Sequence, residues 1–402
     1  MTSRRNSTLV LAGDGLSAFG SWIDFLAILT LAAYQFHVSP YQMALIGALG
    51  LLPGIVLGPL IGRWCDRGNP KRLLLASVIA RVATTAAILF CGDYAAFAAL
   101  VALRSVFTTV APTAINVLAV RAVEPAGRPR FFAILNVLNN SAKVLAPMIG
   151  TVASSLTSEA AALVASLLFS AAAFVVFAFV RTEPKAHATA APANGAAPAQ
   201  RPPPSRVPLL WVGTTCAFFV FMVNNLVPLV LQQSGFDKAL LGVLVSCSGA
   251  GNILSGLWLA RKAAAKAMRG ELAELLVPAA FQAAGFGLMG ALIWSAPGNA
   301  AAALCALFFV IGTFSARYAI ALSVHVAAHH ADSAGRVWGA LQSWQSAMIL
   351  VAPMVGAAVL DQQGPPALFA LAAGSACLSF GLLLALRKLG APWFRTPLRV
   401  AA

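Results

Sequence analysis

The stretch AAALVASLLFSAAAFVVFAFV occupies residues 160–180 and contains no charged side chain. In an α-helix this stretch extends over about 30 Å, which is the thickness of the hydrocarbon core of a bilayer. A second stretch of this kind covers residues 367–386. Of the 402 residues, 60% are hydrophobic and 10% are charged, and the mean hydropathy is +0.83. These values predict an all-α integral membrane protein.

Twelve apolar stretches follow one another along the chain, at residues 8–34, 42–62, 73–91, 94–118, 131–152, 160–180, 207–231, 239–259, 275–295, 300–324, 337–360 and 367–386. The positions of Lys and Arg test this count, because cytoplasmic loops of membrane proteins concentrate them. With the N-terminus inside, 22 of the 27 fall on the cytoplasmic side and only Lys238 falls outside. The sequence therefore predicts twelve transmembrane helices with both termini in the cytoplasm. The net charge of +15 then belongs to loops beside an anionic leaflet, and no nucleic-acid partner is expected.

Residues 181–206 differ from the rest of the chain, because they are rich in Ala and Pro and cannot form a core. We interpret them as a cytoplasmic linker between an N-terminal six-helix bundle, residues 1–180, and a C-terminal six-helix bundle, residues 207–402. The two parts share sequence: VLAPMIG at 144–150 recurs as LVAPMVG at 350–356, and AGR precedes each copy. The repeat predicts two pseudo-symmetric bundles that enclose a site near the bilayer midplane.

Six charged residues lie within the predicted spans, although a charge at the bilayer centre costs about 2.5–3.5 kcal/mol on insertion scales. They are Asp14, Asp24, Arg81, Arg104, Lys143 and Arg317. Their positive sum favours an anionic or zwitterionic substrate. Asp24 and Asp14 are candidates for proton coupling, and the alternative for Asp24 is a fixed ion pair with Arg104 or Lys143. For Arg81, a site role and a side chain that reaches the headgroups are equally compatible with the sequence.

Span five carries a polar stripe, because Asn136, Asn140 and Lys143 have the spacing i, i+4, i+7 and Asn139 flanks them. The repeat places Asn136 on Gln342 and Asn139 on Gln345, whereas Lys143 has no polar counterpart. The stripe predicts a cavity lining, and interhelical packing is the alternative for each single amide. The predicted substrate-binding residues are Arg104, Asn136, Asn139, Asn140, Lys143, Arg317, Gln342 and Gln345.

The loop after span two reads GRWCDRGNPKRLL at residues 62–74. A carboxylate in such a basic turn can face a helix N-terminus, and for Asp66 we expect the start of span eleven, near 334–337. The loop resembles the signature of the major facilitator superfamily, which implies a gating motif of Gly62, Asp66, Arg67, Lys71 and Arg72. Simple anchoring of the loop in the cytoplasm is the alternative. The equivalent loop after span eight, GLWLARKAAAKAMRG at 256–270, lacks the aspartate.

Spans one to five also resemble one branch of this superfamily, which contains the enterobactin exporter and macrolide efflux proteins. The resemblance is carried by SAFGSW at 17–22, GPLIGRWCDR at 58–67 and the Ala-Pro-x-x-Gly end of span five. The chain departs from the pattern of drug/proton antiporters at Thr108 and Thr151. The resemblance implies proton-coupled efflux of a small amphipathic, anionic compound such as a siderophore across a bacterial inner membrane. A multidrug or macrolide pump, or ion-coupled uptake of an organic anion, is the alternative.

The remaining motifs predict no enzymatic activity and no cofactor. His325, His329, His330 and Asp332 crowd one loop, but we interpret them as a solvated cluster and expect no metal. The expected partners are a small-molecule substrate, the proton gradient and the lipid bilayer, and the chain is expected to be a monomer. From another functional class, a membrane sensor or a lipid flippase is the alternative.

Overall fold

The computed structural model describes residues 2–36, 38–156, 159–181, 205–236, 238–262, 271–295 and 300–389, and these are overwhelmingly helical. The α-helices are α1 (Thr2–Thr30), α2 (Pro40–Arg67), α3 (Pro70–Ile88), α4 (Tyr94–Ala122), α5 (Arg128–Leu156), α6 (Glu159–Ala178), α7 (Val207–Asn224), α8 (Val227–Gln233), α9 (Lys238–Lys262), α10 (Leu272–Ser295), α11 (Ala301–His329), α12 (Ala334–Gln363) and α13 (Pro365–Lys388). A π-helical turn, Leu31–Gln35, continues α1.

Short polar residues start three of the helices. The Ser39 side chain accepts a hydrogen bond from the backbone N–H of Gln42, and α2 begins at the following proline. Asn69 caps α3 in the same way, and Asp93 caps α4. Such side chains satisfy N–H groups that have no partner inside the helix, and a proline at the first position loses no helical hydrogen bond.

Ten segments among the described residues are long and apolar enough to cross a membrane. Two further long helices, α3 and α5, are less apolar. Arg81 lies in α3, and the polar stripe of Asn136, Asn139, Asn140 and Lys143 lies in α5. Twelve membrane-crossing elements result, and the predicted all-α fold is confirmed. Span seven was predicted as one continuous stretch, but its helix is interrupted at Asn225 and Leu226, between α7 and α8. Pro228 explains the break, since its ring is incompatible with the preceding helical turn.

The helices pack in two groups. In the first group, α1 packs on α5 and α6, and α4 packs on α2 and α3. In the second group, α11 packs on α9 and α10, and α7 packs on α12 and α13. Most of the predicted linker, residues 182–204, lies outside the described part of the chain.

The two groups meet mainly through α2 against α12 and α5 against α9. Glycines allow the backbones of α2 and α12 to touch. A Cβ atom on Gly58 would lie 2.5 Å from the carbonyl oxygen of Gly339, and one on Gly62 would lie 2.2 Å from that of Gly335. Small residues spaced by four are the usual solution where membrane helices cross closely.

The close contact is confined to one end of the molecule. Gly54, Gly58 and Gly62 lie on one face of α2, and Gly50 and Gly47 continue that face. A Cβ atom on Gly54 would meet Ser346 of α12, whereas one on Gly50 or Gly47 would meet no described atom within 4 Å. The helices therefore separate away from Gly62. We call the end where α1 and α3 begin and α2 and α6 end the Arg-rich face.

The crossing of α2 and α12 gives a first prediction. Gly58→Leu should lower the melting temperature in detergent by about 5 °C, because a side chain there overpacks the backbone contact. Gly47→Leu, on the same face of α2 but in open space, is the matched control and should leave the melting temperature unchanged. Equal effects of the two substitutions in a thermal-shift assay would contradict the assignment of the contact.

Candidate functional site

Asp66 joins the two groups of helices at the Arg-rich face. Its buried carboxylate accepts hydrogen bonds from the backbone N–H groups of Gly335 and Arg336, at 2.7 and 2.9 Å. The Arg336 guanidinium adds a contact at 3.3 Å. These N–H groups lie in the first turn of α12, where they have no helical partner and the helix dipole attracts negative charge. The contact that we expected between this loop and the start of span eleven is present.

Arginines hold the surrounding backbone on both sides of this contact. Arg121 of α4 donates to the carbonyl oxygens of Cys65 and Asp66, each at 2.9 Å. Arg128 of α5 donates to the carbonyl oxygen of Ala327 in α11, at 2.7 Å, and so bridges the two groups at a second place. The sequence of the loop after α9 has no aspartate, and at the start of α5 the contact between the groups is made by the Arg128 side chain with α11 instead.

The other residues of the predicted gating motif lie at the same face. Gly62 touches the backbone of Gly335, and the Lys71 ammonium donates to the carbonyl oxygen of Ala178 at the end of α6, at 2.8 Å. Arg67 and Arg72 are exposed. Their positions suit contact with lipid headgroups, whereas Asp66 and Gly62 make the contacts between the groups.

Asp24 and Arg104 form a buried ion pair inside the first group. The Arg104 Nε donates to Asp24 Oδ2 at 2.6 Å, and Thr85 donates to the same oxygen at 3.2 Å. The other oxygen, Oδ1, is buried and has no hydrogen-bond partner among the described residues. Of the two partners that the sequence left open for Asp24, the structure has Arg104 and not Lys143.

Arg81 does not extend to the headgroups. It is 3% exposed, and its guanidinium donates to the hydroxyl groups of Ser17 and Ser170 at 3.1 Å and of Ser21 at 2.5 Å. From the sequence alone, this buried position was not preferred over a position at the headgroups. Three serines on α1 and α6 could have indicated it, because they supply oxygen acceptors around one point.

Asp14 is bound by an amide of the predicted stripe. The Asn139 side chain donates to Asp14 Oδ2 at 2.7 Å, so that α5 is tied to α1 within the first group. Asn139 was predicted to bind substrate, and in this conformation its amide is used by Asp14. The two acids thus differ in their partners, since Asp24 has an arginine and Asp14 has an amide.

Among the described residues of the first group, Lys143 is the cation that is exposed within a span. Its Nζ atom lies 5.8 Å from the ring centroid of Trp22 in α1, at a distance suited to a cation–π contact. The Trp22 ring contacts Phe25 edge to face, at 5.9 Å, and Phe25 is exposed. No ion pair joins Lys143 to a carboxylate in the described ranges.

The amide stripes of α5 and α12 both lie where the two groups meet. A Cβ atom on Gly256 of α9 would lie 3.8 Å from Asn136 Oδ1, and Asn140 donates to Asn136. In α12, Gln342 accepts a hydrogen bond from Thr113 of α4, at 3.1 Å. Gln345 is half-buried one turn further along α12. Whether these residues touch substrate stays a prediction.

The described contacts of Arg317 involve neither Arg104 nor Lys143. Its guanidinium carbon lies 5.1 Å from the ring centroid of Trp258 in α9 and 5.8 Å from that of Phe314 in α11. These contacts are confined to the second group. The sequence placed Arg317 in the substrate site because it lies in a span, but periodicity alone cannot tell which face of α11 meets the cavity.

The histidine cluster lies where α11 ends. The rings of His325 and His329 are 4.8 Å apart. His330 is buried, and burial lowers its pKa to about 4, with the charges of His325, Arg206 and His329 acting in the same direction. The described residues contain no group of three or more His, Cys, Asp or Glu side chains that could hold a metal ion.

Several interacting residues were missed from the sequence. Arg128 and Arg121 were counted only as basic loop residues, and Thr113 was not considered. The row of Gly54, Gly58 and Gly62 was detectable from its spacing of four, which is typical of close helix crossings. Trp22 carried no such signal, because one aromatic residue in an apolar span is ordinary.

Two groups of membrane helices, joined at one end by polar contacts and separating toward the other, define the class of multi-pass secondary transporters. The family model described as Major Facilitator Superfamily matches residues 10–353, and the chain belongs to this superfamily. It is therefore a membrane transporter and not an enzyme. The resemblance to the siderophore and macrolide exporter branch stays a prediction.

Relatives agree with this assignment. The Bacillus subtilis protein YfiS, described as an uncharacterized MFS-type transporter, is 27% identical over 94% of this chain and 92% of its own length. The human organic anion transporter MFSD10 (TETRAN) has a TM-score of 0.73 at 21% identity, covering 95% of this chain and 99% of that one. A bacterial homologue of the iron transporter ferroportin in an outward-facing state has a TM-score of 0.66 at 12% identity, with the same coverage. At these identities the two structures show the fold.

The Asp66 contact gives a second prediction. Asp66→Asn should abolish transport while membrane insertion stays intact, because an amide presents one acceptor and no charge to the two N–H groups of α12. Asp361→Asn makes the same change at an exposed position near the other end of α12 and should transport normally. Normal transport by Asp66→Asn at equal membrane abundance would refute the importance of this contact.

Proposed function

We propose that the protein exports a small amphipathic, anionic compound across a bacterial inner membrane in exchange for protons. A siderophore-like metabolite is the first candidate. The observation that carries the proposal is Lys143, a cation within a span that is exposed and has an aromatic ring rather than a carboxylate as its neighbour. A charged residue within a membrane span usually lies on the pathway of a substrate or an ion.

Lys143 and the two rings beside it offer complementary contacts. The ammonium group attracts an anionic group of the substrate, and the exposed Phe25 ring next to Trp22 offers apolar area. An amphipathic anion uses both surfaces, whereas a sugar or an inorganic ion uses one at most. The other cations within the spans of the first group have partners among the described residues, because Arg104 pairs with Asp24 and Arg81 is held by serines.

The closed end supports alternating access. If the Arg-rich face is cytoplasmic, as the distribution of Lys and Arg predicts, this conformation is closed toward the cytoplasm and opens outward. Asp66 and Arg128 then hold the cytoplasmic end shut. Breaking these contacts while the outer halves of α2 and α12 approach each other gives the opposite state.

We propose that the acids of α1 carry the coupled proton. In the outward-open state Asp24 takes up a proton, which releases Arg104, and the proton leaves on the cytoplasmic side as substrate is loaded. Asp14 is the second candidate, because it is held by one amide. A multidrug or macrolide pump, or ion-coupled uptake of an organic anion, uses the same site with a different cargo or direction.

The third prediction tests Lys143. Lys143→Ala should lower export of an anionic substrate about tenfold or more, because it removes a charged contact. The measurement is accumulation of fluorescent aryl carboxylates, and of neutral and cationic dyes of similar size, in cells with and without the gene. Lys143→Arg should retain most activity, and Lys388→Ala, at the exposed end of α13, is the matched control. Unchanged export of every carboxylate by Lys143→Ala would refute the proposed site.

The fourth prediction tests coupling. Transport by the unmodified protein should change between about pH 6 and 8 and fall when a protonophore is added, because the driving force is a proton gradient. The Asp24→Asn variant should transport at a rate that does not respond to pH. The Asp14→Asn variant should keep the pH response if Asp24 carries the proton and lose it if Asp14 does. A rate that is flat over this range and insensitive to the protonophore would exclude proton coupling.

A further inference from the structure

Arg317 lies in an aromatic cleft formed by three helices of the second group. Its guanidinium contacts the rings of Trp258 of α9 and Phe314 of α11. Phe314 in turn stacks on Phe281 of α10, with ring centroids 4.4 Å apart and the planes nearly parallel. Trp258 is 43% exposed and Phe281 is 51% exposed, so the cleft is open.

The cleft opens on the outer face of α11. Arg317 continues a helical row with Ala306 and Val310, and both of these apolar residues are exposed. Tyr318, the next residue, points into the second group, where its hydroxyl oxygen would lie 3.9 Å from a Cβ atom on Gly213 of α7. An exposed apolar row on a membrane helix is the surface that lipid chains cover.

The positive charge in this cleft is not neutralised by the protein residues that the structure describes. Arg317 Nε is buried without a hydrogen-bond partner, and the ion pairs in the described ranges join Arg104 to Asp24 and Arg336 to Asp66. A charge within a membrane helix normally has a partner, because hydrocarbon does not solvate it. An anionic group from outside the chain meets this requirement.

The depth of the cleft suits a lipid headgroup. A Cβ atom on Gly251 of α9 would meet the backbone of Phe309 in α11, and one on Gly312 would meet Ser248, so Trp258 and Arg317 lie within about one helical turn of the same level. Arg261 and Lys262 follow Trp258 within one turn, so Arg317 lies close to the basic end of the described part of α9, and its long side chain can approach that end. Long cationic side chains extend in this way to the phosphate level of a bilayer, where Trp is also common.

We propose that the cleft between α9 and α10, over Arg317, binds an anionic glycerophospholipid. The lipid phosphate accepts hydrogen bonds from the Arg317 guanidinium, whose planar fork matches phosphate oxygens. One acyl chain covers the row of Ala306 and Val310 and packs on the Phe281 ring. Free phosphate is the poorer ligand, because it would leave the apolar row uncovered. This site is separate from the substrate site proposed around Lys143.

Trp258 is a built-in reporter for this site. The full-length protein is reconstituted into nanodiscs that contain phosphatidylcholine with either brominated phosphatidylglycerol or brominated phosphatidylcholine, since bromine quenches tryptophan on contact. The difference between the protein and its Trp258→Phe variant isolates quenching of this one ring. We expect this quenching to be at least twofold stronger with the anionic brominated lipid, and millimolar inorganic phosphate should not reduce it.

The Arg317→Gln variant is compared with the double variant Arg317→Gln, Trp258→Phe. Quenching of Trp258 should then no longer be twofold stronger with the anionic brominated lipid. Lys143→Gln removes a cation from another span and should keep the preference for the anionic lipid, which separates a specific site from general attraction of anionic lipid to a basic protein. Arg317→Lys keeps a charge without the planar fork and should reduce the preference, so it carries the test if the glutamine variant does not elute as a single species. Equal quenching by both lipids, a preference that survives Arg317→Gln, or displacement by inorganic phosphate would overturn the proposal.

Discussion

The arrangement of the two groups of helices depends on one carboxylate at the end of a helix in the first group. Asp66 of α2 accepts hydrogen bonds from the first N–H groups of α12, and the glycines next to it let the two backbones touch. The contact is strong because a charge meets unsatisfied N–H groups, and it is reversible because water can satisfy both partners. A transporter that must open and close needs a contact with both properties.

Five of the six charged residues inside the spans divide into two kinds, and the sixth, Asp14, is bound by Asn139. Asp24 with Arg104, and Arg81 with its serines, are satisfied within the first group and help to hold α1 against α3, α4 and α6. Lys143 and Arg317 have aromatic neighbours instead. Because a charge within a membrane span normally has a partner, we infer that groups from outside the chain contact the second kind. We propose that the substrate contacts Lys143 and that a lipid contacts Arg317.

The internal repeat explains both the symmetry of the fold and its exceptions. The two AGR segments each contribute a contact between the groups, through the backbone of Gly335 and Arg336 in one case and the side chain of Arg128 in the other. Asp66 has no counterpart after α9, and Lys143 has none in α12. Asp66 and Lys143 are therefore specific to the first group, and we propose a function for each.

The sequence by itself determined the helical membrane fold, because hydrocarbon requires every backbone group to be bonded within a helix and the length of each apolar stretch is visible. It also determined the order of the spans and the expected partner of Asp66. A carboxylate at the end of a helix can face few other groups than the N-terminus of a neighbouring helix. Only the tertiary structure decided that Asp24 pairs with Arg104, that Arg81 is buried and that Arg317 faces a separate cleft. Helical periodicity places side chains on a face, but the neighbour of that face is set by packing between helices that lie far apart in sequence.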